Sequence, residues 1–163
     1  YITNKMAGLL LTNQEFIKYL QYDDDDPLSH PDISQDELGK TIDKLKDTRF
    51  FLQPKPSKIS WQSGVYVEMF LSRDNPEGRS GGLFTSYIIT FNIICHLDKW
   101  TIKNGIRPYR IMNIIDYTFN GANIKDISFD EIRPLGSQFL KFADNFEGYR
   151  LGYVLTWKGN KDC

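Results

Sequence analysis

The chain has 163 residues and a mass of 19.0 kDa, enough for one domain with a substantial core and too little for two comfortable ones. Hydrophobic residues make up 40% and charged residues 25%, a composition of neither a membrane-embedded chain nor a disordered polyelectrolyte. With 20 Lys and Arg against 21 Asp and Glu the net charge is −1, whereas a protein that wraps nucleic acid through its phosphates would be basic.

Residues 4–11 and 13–21 read as two short helices. Thr12 and Asn13 stand where an N-cap belongs, and Gln14 and Glu15 follow in the first turn, where negative charge is favoured. Phe16, Ile17 and Leu20 then form one apolar stripe. Residues 23–31 hold four consecutive carboxylates (Asp23, Asp24, Asp25 and Asp26) and two prolines, so no regular structure is expected there. The segment reads as a solvated linker or as a docking strip for a basic partner. It lacks the alternating ligands, central glycine and twelfth-position glutamate of an EF-hand. Ser34 and Glu37 have capping-box spacing and open a further helix through Lys46, with Leu38, Ile42 and Leu45 as its apolar positions. Residues 1–48 thus form a helical acidic segment with a charge balance of −5, against +4 for residues 49–163. That asymmetry suits head-to-tail contact between copies, and an acidic linker produces it equally well.

Gln53, Pro54, Lys55 and Pro56 force an extended passage into a sheet-and-helix core over residues 59–158. In residues 65–72, Val65, Val67, Met69 and Leu71 alternate with Tyr66, Glu68, Phe70 and Ser72. In residues 86–98, Tyr87, Ile89, Phe91, Ile93, Cys95 and Leu97 make an unbroken apolar face, the strongest period-two signal in the chain. The polar stretch 75–82 (NPEGRSGG) between them predicts a β-hairpin with a long tip. Arg107 and Pro108 open an amphipathic helix whose apolar face is Ile111, Ile114, Ile115, Thr118 and Phe119, and Asn120-Gly121 ends it. Residues 122–132 are expected to be irregular. Residues 137–142 and 149–157 then pair across 143–148 as a second hairpin, with Tyr149, Leu151, Tyr153, Leu155 and Trp157 on one face. The expected fold is a single α+β domain: an antiparallel β-sheet of two hairpins, the amphipathic helix packed on one face, and an N-terminal helical segment.

The aromatic content of 14% fits a β-rich core and also fits an interface. Trp61, Trp100 and Trp157 fall near strand ends, where they serve as core edge or as interface anchors. Two cysteines make no disulfide framework: Cys95 sits in an apolar strand and Cys163 ends the chain, which suits a reducing compartment. No segment reaches the roughly 20 apolar residues needed to span a bilayer, so no membrane partner is expected. His96 and Asp98 on one strand face could form an acid–base couple, but the only other histidine, His30, lies in the acidic stretch and no motif ties a nucleophile to them. Gly78, Arg79, Ser80, Gly81 and Gly82 lack the Lys-Ser/Thr of a phosphate loop. Arg73 and Arg79 instead make a basic tip that could touch a neighbour or bound DNA. Catalytic residues, cofactor and metal are all expected to be absent.

The stretches 65–74, 86–98, 108–119 and 149–157, in this order behind an acidic helical N-terminus, resemble the tail terminator and related neck proteins of tailed bacteriophages. The resemblance is one of element pattern over roughly residues 1–158. It implies a non-enzymatic virion protein at the tail–head junction, made in the bacterial cytoplasm and assembled into a ring, commonly a hexamer. Its partners would be other copies and neighbouring neck, connector and tail-tube proteins, with DNA passing through the lumen unbound. The hairpin tip with Arg73 and Arg79 would reach a ring neighbour or the lumen, and the Asp23 to Asp26 run would face a connector. The readings from other classes are a small enzyme using His96 and Asp98, and a monomeric adaptor that docks a basic partner through Asp23, Asp24, Asp25 and Asp26.

Overall fold

A computed structural model describes residues 2–53, 62–74 and 84–158. The expected Pro54 to Pro56 passage, Trp61, the tip at 75–82 with Arg79, and Cys163 lie outside the described residues. Helices α1 (Ile2–Leu11) and α2 (Gln14–Gln21) meet at a corner built by two adjacent side chains. The Thr12 hydroxyl donates back to the Gly8 carbonyl at 2.9 Å, and Asn13 Oδ1 accepts from the Phe16 amide at 3.0 Å, so one residue closes α1 and the next caps α2. Helix α3 (Gln35–Thr48) starts where the capping-box spacing places it. Its Ser34 cap works through the backbone carbonyl, which accepts from Glu37 and Leu38, with no side-chain cap bond.

Strand β1 (Phe50–Phe51) lies parallel to β2 (Val65–Asp74), and β2 pairs antiparallel with β3 (Phe84–His96). A small ribbon of β4 (Thr101–Ile102) and β5 (Gly105–Ile106) leads into α4 (Arg107–Phe119). Strands β6 (Arg133–Ala143) and β7 (Phe146–Lys158) form the second hairpin. Its turn is shorter than the expected 143–148, because Asn145 takes a left-handed conformation (φ +62°) and lets Ala143 face Phe146 directly. The two hairpins join through β3 and β7, from Phe84 opposite Lys158 to His96 opposite Phe146, giving one sheet in the order β1-β2-β3-β7-β6. The α+β fold is as expected. The sheet is mixed rather than purely antiparallel, because the two-residue β1 adds in parallel.

The odd residues of β3 face the core through the middle of the strand but not at its ends, where Tyr87 is only half-buried. Ile89, Phe91, Ile93 and Cys95 are buried, but the strand ends at His96, and Leu97 enters a 3-10 turn (Leu97–Lys99) with 44% of its surface exposed. Against this face pack Val65, Val67 and Met69 of β2, Leu151, Tyr153 and Leu155 of β7, and the apolar sides of α1, α2 and α4. Phe91 stacks on Phe119 of α4 at 5.4 Å and meets Tyr153 edge-on at 6.1 Å. The opposite face carries a smaller cluster built from strand residues alone: Phe51, Tyr66, Ile94 and Phe146, with Phe142 and Ala143 beside them. Next to it runs a polar ladder across three strands, in which Arg150 Nε donates to Asn92 Oδ1 (2.9 Å) and Asn92 Nδ2 donates to Glu68 Oε2 (2.8 Å). The mixed composition of the even β3 positions therefore has a use: buried polar groups on this face satisfy one another.

Backbones approach closely at Gly148, opposite Ile94, where a Cβ would lie 1.8 Å from the Ile93 carbonyl oxygen. Gly148→Ala is expected to lower unfolding free energy by about 3 kcal/mol, since one methyl forces two central strands apart. Urea unfolding with an unchanged denaturant slope checks this.

Candidate functional site

Arg107, the first residue of α4, is completely buried. Its guanidinium donates to four backbone carbonyls: Nε to Lys99 (3.0 Å), Nη1 to Tyr19 (3.1 Å) and Tyr22 (2.6 Å), and Nη2 to Asp24. The end of α2, the acidic stretch and the 3-10 turn after β3 all converge on this one fork. Burial lowers its pKa from the usual arginine value, while nearby Asp23 and Asp24 act in the opposite direction.

The acidic stretch is consequently no free linker. Asp23 pairs with Arg49 at 2.7 Å, Asp24 with His30 at 2.7 Å, and Asp26 with Lys103 at 3.0 Å, while the Asp25 carbonyl accepts from the Lys103 amide. A single 3-10 turn (Pro27–Ser29) interrupts the expected irregularity, with Pro27 in its first turn. His30 stacks on Tyr22 at 3.7 Å. The Arg49 guanidinium occupies the space a side chain at Gly64 would need and lies over the Tyr66 ring at 5.1 Å. Beside it, a cavity of about 630 Å³ between α3 and the start of β2 is lined by Lys40, Lys44, Arg49, Gln21 and Tyr66.

His96 and Asp98 do meet, in a structural setting. His96 Nδ1 accepts from the Asp98 amide at 3.2 Å and caps the 3-10 turn, with its ring edge-on to Phe146 at 4.9 Å. Among the described residues, no group of three or more His, Cys, Asp and Glu converges as a metal site. Burial pushes the Cys95 thiol up to about 12, so it stays neutral in the core.

The features left open to solvent lie at the other edge of the sheet. Among the described residues strand β6 has a partner on one side only, and its residues from Arg133 to Phe139 are all exposed, including Leu135 (58%) and Phe139 (51%). Phe139 belongs to an aromatic cluster. Its ring meets Tyr149 at 5.6 Å and Trp100 at 6.3 Å, and Tyr149 stacks on Tyr109 at 5.1 Å. Desolvation, together with a bond to Tyr109, raises the Tyr149 hydroxyl to about 12. Beyond the cluster a groove of about 240 Å³ runs between α4 and β6, lined by Met112, Asn113, Asp116, Pro134, Gly136 and Ser137 among others. Tyr153 donates to Asp116 Oδ1 at 3.0 Å in its wall, and desolvation with this bond raises the Tyr153 pKa. Of the candidates drawn from sequence, Trp100 lies in this cluster and Arg73 is exposed near the end of β2, while Asp23, Asp24 and Asp26 are paired within the chain and Asp25 is engaged through its carbonyl. Tyr109, Phe139, Tyr149 and Asp116 were not singled out. The i, i+3, i+4, i+7 spacing of Tyr109, Met112, Asn113 and Asp116 could have shown a second helix face.

The exposed surface is thus that of an α+β domain with a strand edge unpaired among the described residues and an aromatic cluster beside it. The YomW family model matches residues 13–155, and the chain belongs to that family, which is phage-derived, of the SPβ prophage type. No curated protein matches the chain. No helix among the described residues is long and apolar enough to cross a membrane.

Two outcomes follow from the Arg107 centre. Arg107→Met strands four carbonyls and is expected to cost about 3 kcal/mol or more, with Arg107→Lys restoring only part, as read by chemical denaturation. Desolvation pushes the Asp24 carboxyl up, but its bonds from His30 and the Asp26 amide outweigh this and hold it below its usual range. A depressed folded pKa stabilises above the unfolded value of about 3.9 and loses that contribution as pH falls through the folded one. Asp24→Asn should therefore flatten the stability profile below about pH 4, measured as urea midpoints from neutral to acid pH.

Proposed function

We propose that this chain is a structural protein of the phage virion, a ring-forming tail terminator or neck component that joins the tail tube to the head connector. The observation that carries this reading is the unpaired edge of β6 with exposed Leu135 and Phe139 and its flanking aromatic cluster, in a chain of phage-derived family. An open strand edge next to aromatic side chains is what protein–protein contact uses. Non-enzymatic action is supported by the use of His96 as a turn cap, and the adaptor reading loses support because Asp23 and Asp26 already pair with Arg49 and Lys103 and Asp24 is bonded to His30. A net charge of −1 lets DNA slide through a lumen rather than be gripped. The partners on this reading are further copies of the chain and the adjoining connector and tail-tube proteins.

Native mass across a concentration series, with negative-stain imaging of the largest species, is expected to give closed rings of one size. Immunodetection should find the chain in purified particles of the phage that encodes it. A protein that stays monomeric at every concentration and is absent from particles overturns the reading.

A further inference from the structure

Two sheet edges have windows of equal length. Strand β1 covers only Val67 and Glu68 of β2, which leaves six residues, Met69 to Asp74, paired on one side only among the described residues. On the opposite edge, β6 pairs irregularly with β7 at Pro134/Gly136 and again at Lys141/Ala143, and the regular window between is also six residues, Gly136 to Lys141. The strands alternate in direction from β2 through β3 and β7 to β6, so β6 runs antiparallel to β2. Placing β2 of one copy beside β6 of the next continues that alternation.

We infer that the Met69 to Asp74 edge of one copy pairs antiparallel with the Gly136 to Lys141 edge of the next. This rests on the ring reading and names the contact that would build it. Full overlap of the windows sets Met69 opposite Lys141 and Asp74 opposite Gly136, and in this register the two faces of the sheet are preserved. On the helix-bearing face Leu71 meets Phe139, and on the other Phe70 meets Leu140 while Ser72 meets Gln138. Such apolar cross-strand pairs are the unit of sheet stability, and a one-residue slip would turn every one of them to the wrong face. The same register sets Arg73 opposite Ser137, at the groove whose wall holds Asp116. Asp116 is bonded to the neutral Tyr153 and Asn120, so an incoming guanidinium meets a carboxylate that neutral donors alone have engaged in these bonds. By sequence the β6 strand carries Arg133 and Lys141 and no acid, whereas β2 carries Glu68 and Asp74 with one base. The contact is heterologous, using two different patches per copy, and so propagates until it closes.

The test mixes two single-cysteine chains, Ser72→Cys and Gln138→Cys, each in a Cys163→Ser background, and oxidises them mildly. Cys95 is buried and serves as an internal control. The expected product is a disulfide-linked pair that forms only in the mixture, with Ser72→Cys plus Ser137→Cys, which face opposite sides, giving at least tenfold less. In the unsubstituted chain, amide exchange in both six-residue windows should slow as the oligomer forms. Rings that form without the 72–138 link and without protection of these windows overturn the edge pairing and leave the ring reading standing. Efficient linkage within Gln138→Cys alone also overturns it, in favour of β6 against β6. A chain that stays monomeric, with no link in any mixture, overturns the edge pairing, and its absence from phage particles as well removes the ring reading.

Discussion

A buried guanidinium keeps its charge, so its surroundings must supply acceptors for a planar fork of five N–H groups. Arg107 finds them on the backbone, at carbonyls of Tyr19, Tyr22, Asp24 and Lys99. Two of these belong to the end of α2, where helical carbonyls have no partner of their own. One cation therefore closes a helix, holds the chain leaving it, and fixes the turn that follows β3. The carboxylates of Asp23 and Asp24 lie close enough to offset its charge, and they are held in turn by Arg49 on Asp23 and a bond from His30 to Asp24, with Lys103 on the neighbouring Asp26. An acidic run that would repel itself in water becomes the counter-layer of a buried base.

That arrangement decides which surfaces stay open. With α1, α2 and α4 held on one face of the sheet, the core closes over β2, β3 and β7, and β6 extends beyond the helices with both its faces exposed over most of its length. The groove beside α4 and the aromatic cluster follow from this overhang. A monomer normally blunts such an edge. Here Pro134, Lys141 and a register shift at each end do so, while the six residues between keep a regular ladder. The blunting limits how far a pairing can run without forbidding it.

The parts of this design that could be read in the sequence are those with a local period. The alternation through β3, the 3.6-residue stripe of α4 and the cap at Asn13 each express a physical constraint that acts within a dozen residues. Strand β1 and the β4–β5 ribbon are two residues each, too short for any pattern, and β6 lacks alternation because neither of its faces is buried for most of its length. Arg107 was legible only as the residue before a helix-opening proline, since three of its four partners lie 83 to 88 residues away in the chain and all four are backbone atoms that no side-chain motif encodes. The acidic run misled for the same reason: four adjacent carboxylates look solvated until the fold brings Arg49 to Asp23 and Lys103 to Asp26. Trp100 was found because tryptophan is conspicuous anywhere, whereas Phe139 and Tyr149 gained meaning only when the second hairpin placed them against it.

A strand pairing six residues long is weak by itself, since short two-stranded contacts are marginal in water. Its strength in a closed assembly comes from number. In a ring, every subunit holds two such contacts, and removing one subunit breaks both together, so the effective concentration of each edge for its neighbour rises without any new interaction. The cost is that both edges must survive unpaired while the chain is free. Short windows ended by proline, lysine and register shifts keep that exposure small, and the charge pattern favours β6 meeting β2 over β6 meeting itself, because two lysine- and arginine-bearing edges repel. An edge that is open but brief, and matched to an unlike partner, fits the pairing proposed above, in which one copy commits only when the next presents the complementary side.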